Sequence, residues 1–451
     1  MRILLLSSYF PPDEHIGAAR WKRLSKYLRR SGHEICVVAA DNGTAHGAPA
    51  YCDLIRRVDA AAGLPDRILR AVSTVKKGSQ LEARRQRYLV ERSGHVEPGA
   101  DVLRWYVRAM SALGKMARFP SIYWWSAGEM MTAGLAVAAE RRPEAIVATH
   151  PFPGCLRAAR TISARTGIPW VADMRDGWSS YYGSEYLPGS VFHRGVVALE
   201  RRYLGTASKV VAVNAGLAHT LQASADKLVV IPNSYDPEAA CPDARPLRGE
   251  GGTAILAFAG TVLEEHFCDT FMAGLSACVR RLGSPKVIVN YYGGDFARLK
   301  HSGEAAGVSG DCFINHGYVP KSQLQEGLRQ ADLLVVFGFR GAYGSTVTTG
   351  KVFDYIEAVR PILAVASPDS ALASVVSTTG VGVVASDPQA VEEVVAGCAS
   401  SGAAFRNEIL SHRREDALKE YSAVETARRY ETLLSSVVAD DSGRSAERRS
   451  R

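Results

Sequence analysis

The chain has 451 residues, 47% of them apolar and 22% charged, with a net charge of +8. That is enough for two α/β domains of ordinary size. No apolar run reaches the ~18 residues of a membrane-spanning helix, and the charge is modest for this length, which suits an acidic partner surface and argues against nucleic acid. The eight cysteines form no Cys-x-x-Cys pair and have no histidine spacing that would hold a metal. Met1 to Phe10 lacks a separate basic region and a small-residue cleavage site, so a cytoplasmic chain with reduced thiols is expected.

Arg2 to Ser8 reads as a short buried strand, Tyr9-Phe10-Pro11-Pro12-Asp13-Glu14-His15-Ile16-Gly17 as a loop, and about Ala18 to Arg30 as a helix. Gly32-His33-Glu34 turns the chain into a second strand, Ile35 to Ala39. The resulting βαβ unit predicts a parallel, doubly wound sheet. Gly17 near the first helix permits close approach of a ligand to backbone, and Arg20 reads either as a helix-surface residue or as one that reaches an acceptor phosphate.

The βα rhythm breaks over about residues 54–125. From Leu54 to Arg92 the pattern is helical and basic, with Arg56, Arg57, Arg67, Arg70, Lys76, Lys77, Arg84, Arg85 and Arg87. Two readings stand: a solvated helical excursion, or a cationic apron in peripheral contact with the inner face of a membrane or with a lipid phosphate. Strands resume at Ala145 to Thr149, Pro169 to Ala172 and Lys209 to Val213. His150 follows the first of these, which places its imidazole at the carboxyl edge of the sheet, where open α/β folds bind ligands. Asp173, Arg175 and Asp176 follow the next strand. They read as an internal ion-pair network or as a site for ligand hydroxyls with base assistance from one carboxylate.

A proline boundary, Val230 to Pro237, and the glycine-rich stretch Cys241 to Gly252 mark a linker. A second series of strands follows at Ala254 to Ala259, Lys286 to Tyr292, Cys312 to Asn315, Asp332 to Phe337 and Ile362 to Ala366. The expected domains are 1–235 and 236–410, with a terminal helix over 411–437 and a disordered tail over 438–451. The run Phe339-Arg340-Gly341-Ala342-Tyr343-Gly344-Ser345, then Gly350-Lys351-Val352-Phe353-Asp354-Tyr355, reads as strand, glycine loop and helix. Free N–H groups at the start of that helix form an anion site, most plausibly for a diphosphate, and Asp354 is placed to accept ribose hydroxyls. An ordinary turn capped by Ser345 or Thr349 is the alternative.

These pieces occur in a telling order: Tyr9-Phe10-Pro11-Pro12 with Gly17, Gly32-His33-Glu34, Thr149-His150-Pro151-Phe152-Pro153, Pro169 to Trp178, Val230-Ile231-Pro232-Asn233, Phe258-Ala259-Gly260-Thr261, and Lys351 to Pro361. The chain resembles retaining glycosyltransferases of the two-Rossmann-domain (GT-B) architecture, specifically family 4-like members that build bacterial polysaccharides and glycoconjugates, over about residues 1 to 430. The resemblance implies an α/β fold of two Rossmann-like, doubly wound parallel-sheet domains facing a cleft. It also implies a nucleotide-sugar donor held mostly by the second domain and an acceptor held mostly by the first. Diphosphate contacts then fall to Lys351, Arg340, His266, Gly260 and Thr261, nucleoside contacts to Asp354, Tyr318 and Val319, and donor-sugar contacts to Ser345 and Thr346. Acceptor contacts fall to Gly17, Arg20 and Arg175, and the chemistry to His150, Asp173 and Asp176.

Two departures from the family pattern bear on the donor. Of the family's Glu-x7-Glu pair, the first glutamate falls at Thr346 and the second at Asp354. Where family members carry an arginine and then a lysine after the glycine of the second-domain opener, this chain has Thr261 and His266. The resemblance implies retention of configuration by front-face displacement. The absence of any Asp-x-Asp triplet predicts metal independence, with no cofactor beyond the nucleotide-sugar substrate. Acceptors in view are a glycan, a lipid-linked or a small-molecule hydroxyl. Two other readings stay open, a non-catalytic nucleotide-sugar-binding partner of a glycosylation complex and a sugar-nucleotide 2-epimerase.

Overall fold

The structure, a computed structural model, describes residues 1–13, 15–41, 51–59, 127–180, 187–240, 253–264, 266–282 and 286–449, with side chains described through 443. The first sheet contains β1 (Arg2–Ser7), β2 (Glu34–Ala40), β3 (Leu54–Val58), β4 (Ala145–His150), β5 (Trp170–Met174), β6 (Lys209–Ala212) and β7 (Leu228–Val230), in the order 3-2-1-4-5-6-7. The second contains β8 (Ala254–Ala259), β9 (Val287–Tyr292), β10 (Phe313–Gly317), β11 (Leu333–Phe337), β12 (Ile362–Val365) and β13 (Gly382–Ala385), in the order 10-9-8-11-12-13. Every strand pair in both is parallel. Strand order reverses between β1 and β4 and between β8 and β11, so each sheet has a switch point where loops part and leave a crevice.

The period-two rule explains the layers. Leu4, Leu6, Cys36 and Val38 face one core with the helices Ala127–Arg141, Pro153–Thr166 and Val191–Thr206. Ile3, Leu5, Ile35 and Val37 face the other with the helix Ile16–Arg30. The second sheet does the same: Leu256 and Phe258 meet the helices Cys268–Leu282 and Pro388–Ser411, and Ala257 and Ala259 meet Lys321–Gln330 and Lys351–Ala358. Among the described residues no helix is long and apolar enough to cross a membrane.

Two expectations need correction. Leu54–Val58 is a strand rather than the start of a helical excursion, because Ile55 and Val58 favour an extended edge beside β2. Arg57 there donates to the carbonyls of Ala40, Phe10 and Pro11, fixing the loop after β1, and Arg56 pairs with Glu140 at 2.5 Å. The rest of the basic stretch, including Arg67, Arg70, Lys76, Lys77, Arg84, Arg85 and Arg87, lies outside the described residues, as does the linker stretch 241–252. At the other end the helix Ala423–Arg449 continues past residue 438, where composition predicts disorder. Its sequence contains no proline and a single glycine, so nothing local stops it.

That last helix belongs to the first domain. The chain crosses between domains twice, and the crossings are bonded to each other: the Tyr235 N–H donates to Tyr421 O at 3.0 Å, and the Ala423 N–H to Tyr235 O at 2.8 Å. Beyond the crossing, Ala427, Tyr430, Leu433 and Leu434 complete the core around Ile3, Leu5 and Trp21. Beneath it sits Asp173, wholly buried at the end of β5. Its carboxylate accepts from Trp21 Nε1 at 2.9 Å, Tyr430 OH at 2.5 Å and Arg20 Nε at 3.2 Å. Arg20 also donates to Ile231 O at 3.0 Å and Pro232 O at 2.7 Å. Burial pushes the Asp173 carboxyl up, but Arg20 and the donors outweigh it and hold the group below the usual carboxylate range.

A depressed carboxylate pKa adds stability that is present above the unfolded value of about 3.9 and lost as pH falls through the folded value. Asp173→Ala should therefore cost about 3–5 kcal/mol at neutral pH, because it leaves the Arg20 charge buried and unpaired. In urea unfolding the gap to the wild type should narrow as pH falls below about 4. An equal deficit at pH 3 and pH 7 would show that the ion pair is not the source.

Candidate active site

The carboxyl ends of the two sheets face each other across a cleft of about 1250 Å³, lined from both domains by the loops at the switch points. The second-domain wall is built around Lys351, the first residue of the helix Lys351–Ala358. Its ammonium lies 5.2 Å from the centroid of the Phe258 ring and directly over Gly260, where a Cβ would overlap it. Gly260 has φ +110°, so glycine is required there for backbone as well as for space. No carboxylate among the described residues pairs with Lys351, and burial lowers its pKa to about 8. A cation at a helix N-terminus is disfavoured by the dipole as well as by burial, and an anion in the cleft relieves both.

His266 stands beside it. Its Nδ1 accepts the Leu263 N–H at 3.2 Å, which places the ring proton on Nε2 as a donor. Burial, with Lys351 nearby, lowers its pKa to about 4. Thr261, Tyr292, Gly293, Gly294, Gly317, Tyr318, Val319, Thr348 and Thr349 complete this wall. Tyr318 is 82% exposed at the rim, and the Tyr292 ring is stacked on His316 at 4.5 Å.

Opposite, His150 ends β4 with 2% exposure. Its Nδ1 lies 3.1 Å from the carbonyl of Asp176, which only accepts, so the proton sits on Nδ1 and Nε2 is left as a buried acceptor with no partner among the described residues. Burial and then Arg175 push its pKa down to about 3, so the imidazole is neutral at ordinary pH. Arg175 Nε donates to His150 O at 2.8 Å and its Nη1 to Gly17 O, which ties three cleft loops together. The Asp176 carboxylate makes no hydrogen bond or ion pair with the described residues, and burial raises its pKa.

Of the residues expected at the site, His150, Asp176, Lys351, His266, Gly260, Thr261, Asp354, Tyr318, Val319, Gly17, Arg20 and Arg175 line the cleft; Asp173, Arg340, Ser345 and Thr346 do not. Asp173 is consumed by the hub beneath. Arg20 lies on the floor with its guanidinium fully engaged, so it is not available to an acceptor phosphate. Arg340 turns outward: it covers the Phe267 ring, donates to His266 O at 3.2 Å and pairs with Asp269 at 3.6 Å. The Ser345 and Thr346 hydroxyls bond back to Ala342 O and Tyr343 O in their own turn, and Thr346 O accepts from Asn214 Nδ2 at 2.9 Å. Gly17 makes room for protein rather than ligand, since a Cβ would strike the Tyr9 ring and His15 Nδ1, which are stacked at 3.9 Å. Asp354 faces the cleft, but its Oδ1 is taken by Arg23 at 2.6 Å and Lys321 at 3.0 Å. Those cations outweigh burial and keep the carboxyl low.

Arg23, Lys321, Tyr9, His15, Trp178, Thr348 and Thr349 are cleft residues that sequence reasoning missed. Only Arg23 left a signal. It lies three residues after Arg20 on the stripe of Trp21, Leu24, Tyr27 and Leu28, where a solvated arginine does not belong.

Residues 17–234 match the family model described as a glycosyl transferase 4-like domain. The first domain is a glycosyl transferase 4-like domain. No curated protein matches the sequence. Among solved structures, sucrose-phosphate synthase from Thermosynechococcus elongatus shares 13% identity at TM-score 0.63, covering 97% of this chain and 99% of that one. Anabaena HepE in complex with UDP-glucose shares 14% at TM-score 0.56, covering 97% of this chain and all of that one. OtsA in its apo form shares 10% at TM-score 0.58, covering 96% and 99%. These likenesses show the fold, and this glycosyltransferase has the GT-B arrangement of two parallel-sheet domains across a cleft.

Because the fold lowers the Lys351 pKa, the folded protein gains stability as pH rises from about 8 towards the unfolded value of about 10.4. Lys351→Met should therefore stabilise the ligand-free glycosyltransferase by about 1–2 kcal/mol while abolishing binding of inorganic pyrophosphate. Calorimetry of the wild type should show proton uptake on pyrophosphate binding above pH 8. A variant that is less stable, or that binds as the wild type does, counts against a lysine poised for an anion.

Proposed function

We propose that this glycosyltransferase moves a sugar from a nucleotide diphosphate sugar to an acceptor hydroxyl of a glycan, a lipid-linked or a small-molecule substrate, with retention of configuration and without a metal. The observation that carries the donor class is Lys351, a cation held at a helix N-terminus beside a histidine N–H donor, with no anion against it among the described residues. The solved relatives support it: HepE is described in complex with UDP and with UDP-glucose.

In this reading Lys351, the first N–H groups of its helix, His266 Nε2–H and Thr261 meet the charge that develops on the departing diphosphate. Tyr318 and Val319 border the base, and Thr348 and Thr349 take the place first assigned to Ser345 and Thr346 beside the donor sugar. His150 Nε2 accepts a donor-sugar hydroxyl, which supplies the proton its buried lone pair lacks. The Asp176 carboxylate holds the acceptor hydroxyl. The bond from the anomeric carbon to the phosphate oxygen breaks as the bond to the acceptor oxygen forms on the same face. The acceptor proton passes to the departing phosphate oxygen. Charge on the leaving group is thus met by protein donors, which is the ground for expecting transfer to survive EDTA.

A thermal-shift screen against UDP, GDP, dTDP, ADP and CMP, with and without EDTA, tests the donor class. A diphosphate at a hundred times its Kd should stabilise the fold by about 2.7 kcal/mol. His150→Ala should lower kcat by roughly 10²–10³ while leaving nucleotide binding intact, and product NMR should show the donor's anomeric configuration. If no nucleotide shifts the melting temperature, the reading fails; loss of turnover in EDTA with rescue by magnesium removes its metal-free part.

A further inference from the structure

One buried ion-pair cluster crosses between the domains inside the cleft. Arg23 belongs to the first-domain helix Ile16–Arg30, yet its Nη2 lies 2.6 Å from Asp354 Oδ1 and 2.6 Å from Glu357 Oε1, both on the second-domain helix Lys351–Ala358. Lys321 reaches the same Asp354 oxygen at 3.0 Å, and Glu357 Oε1 also accepts the N–H of Asp236 in the crossing segment at 2.8 Å. Two cations balance two carboxylates. The side chains of Arg23 and Glu357 are 7% and 3% exposed. Apolar side chains of equal volume would stabilise such a site as well or better, so what the cluster supplies is geometry.

That geometry runs from one side of the cleft to the other. Lys351, Asp354 and Glu357 recur every three residues, so phosphate contact, domain latch and crossing segment are set by one short helix. At the other end of the path, in the first turn of the helix bearing Arg23, the Gly17 carbonyl takes Arg175, and Arg175 in turn fixes the carbonyl of His150. The two helices carry the path between its bonds, and each bond on it involves a guanidinium or a carboxylate.

We propose that Arg23 is a positioning residue for sugar transfer: by clamping Asp354 and Glu357 it registers the His150 side of the cleft over the Lys351 side. The proposal rests on the transferase reading above. Arg23 touches no reacting atom in it. Nucleotide binding depends on Lys351 and its loop, and Lys321 still pairs Asp354 when Arg23 is gone. The latch therefore matters for the joint placement of donor and acceptor, not for holding the donor.

The test compares Arg23→Met, Arg23→Lys and, from the opposite domain, Glu357→Gln in the full chain, each first checked for a cooperative melt. Arg23→Met should keep UDP affinity within about threefold, lower kcat tenfold or more, and enlarge the radius of gyration of the UDP-bound protein in solution scattering. Arg23→Lys, with one point charge for two carboxylates, should recover only part of the rate. Glu357→Gln should show the same split, and the double variant should lose little beyond either single. Wild-type kcat with unchanged scattering overturns the proposal, as does a loss of UDP affinity that parallels the loss of rate, because Arg23 then shapes the nucleotide pocket itself. Should the wild type transfer nothing, the functional reading falls separately and the scattering comparison alone decides the latch.

Discussion

A carboxylate with no access to water must be answered by the protein, and Asp173 is answered by two helices that are far apart in the chain. Trp21 and Arg20 come from the first helix and Tyr430 from the last, while Arg20 carries the contact on to the carbonyls of the crossing segment. The end of β5, the first helix, the linker and the C-terminal helix are therefore fixed relative to one another. The cleft loops depend on that fixing, because Arg175 and Asp176 leave β5 immediately after Asp173. Mis-set this hub and His150 loses the carbonyl that decides its tautomer.

On this frame the two walls of the cleft have opposite electrostatic characters. Among the described residues, the second-domain wall keeps a cation, Lys351, without a protein anion, and keeps His266 neutral but donating. The first-domain wall keeps, among the same residues, an unpartnered acceptor, His150 Nε2, and an unpaired carboxylate, Asp176. Both sets of groups are left under-satisfied in the absence of ligand, which is costly for stability and is what a site that recognises an anion on one side and hydroxyl groups on the other requires. Arg20, Asp173, Arg23 and Glu357, also buried, are paired with one another's charges.

Much of this was legible in the chain itself. Strand-loop-helix alternation, glycines at the loops and apolar runs of strand length foretell two parallel sheets in succession; His150 is read from its place at a strand end and Lys351 from the start of a helix, while His266 and Tyr318 follow from the family resemblance. The errors share a cause. Arg340, Ser345 and Thr346 lie in the right loop, but their side chains bond to His266 O or back onto carbonyls of their own turn. Asp173 still lies inside β5, every residue of which is buried, whereas Asp176 lies beyond the strand's last residue, Met174, and reaches the cleft.

By itself, then, the sequence determined what local patterns encode: secondary structure, the doubly wound class, and which loops gather at the carboxyl edges, since these follow from residue periodicity and backbone chemistry over a few neighbouring positions. The tertiary structure alone decided which charges are spent on the protein and which remain for a ligand. That distinction depends on partners hundreds of residues away, Arg23 on Asp354 and Tyr430 on Asp173. No local pattern records such a pairing, because its energy exists only once both groups have left water together.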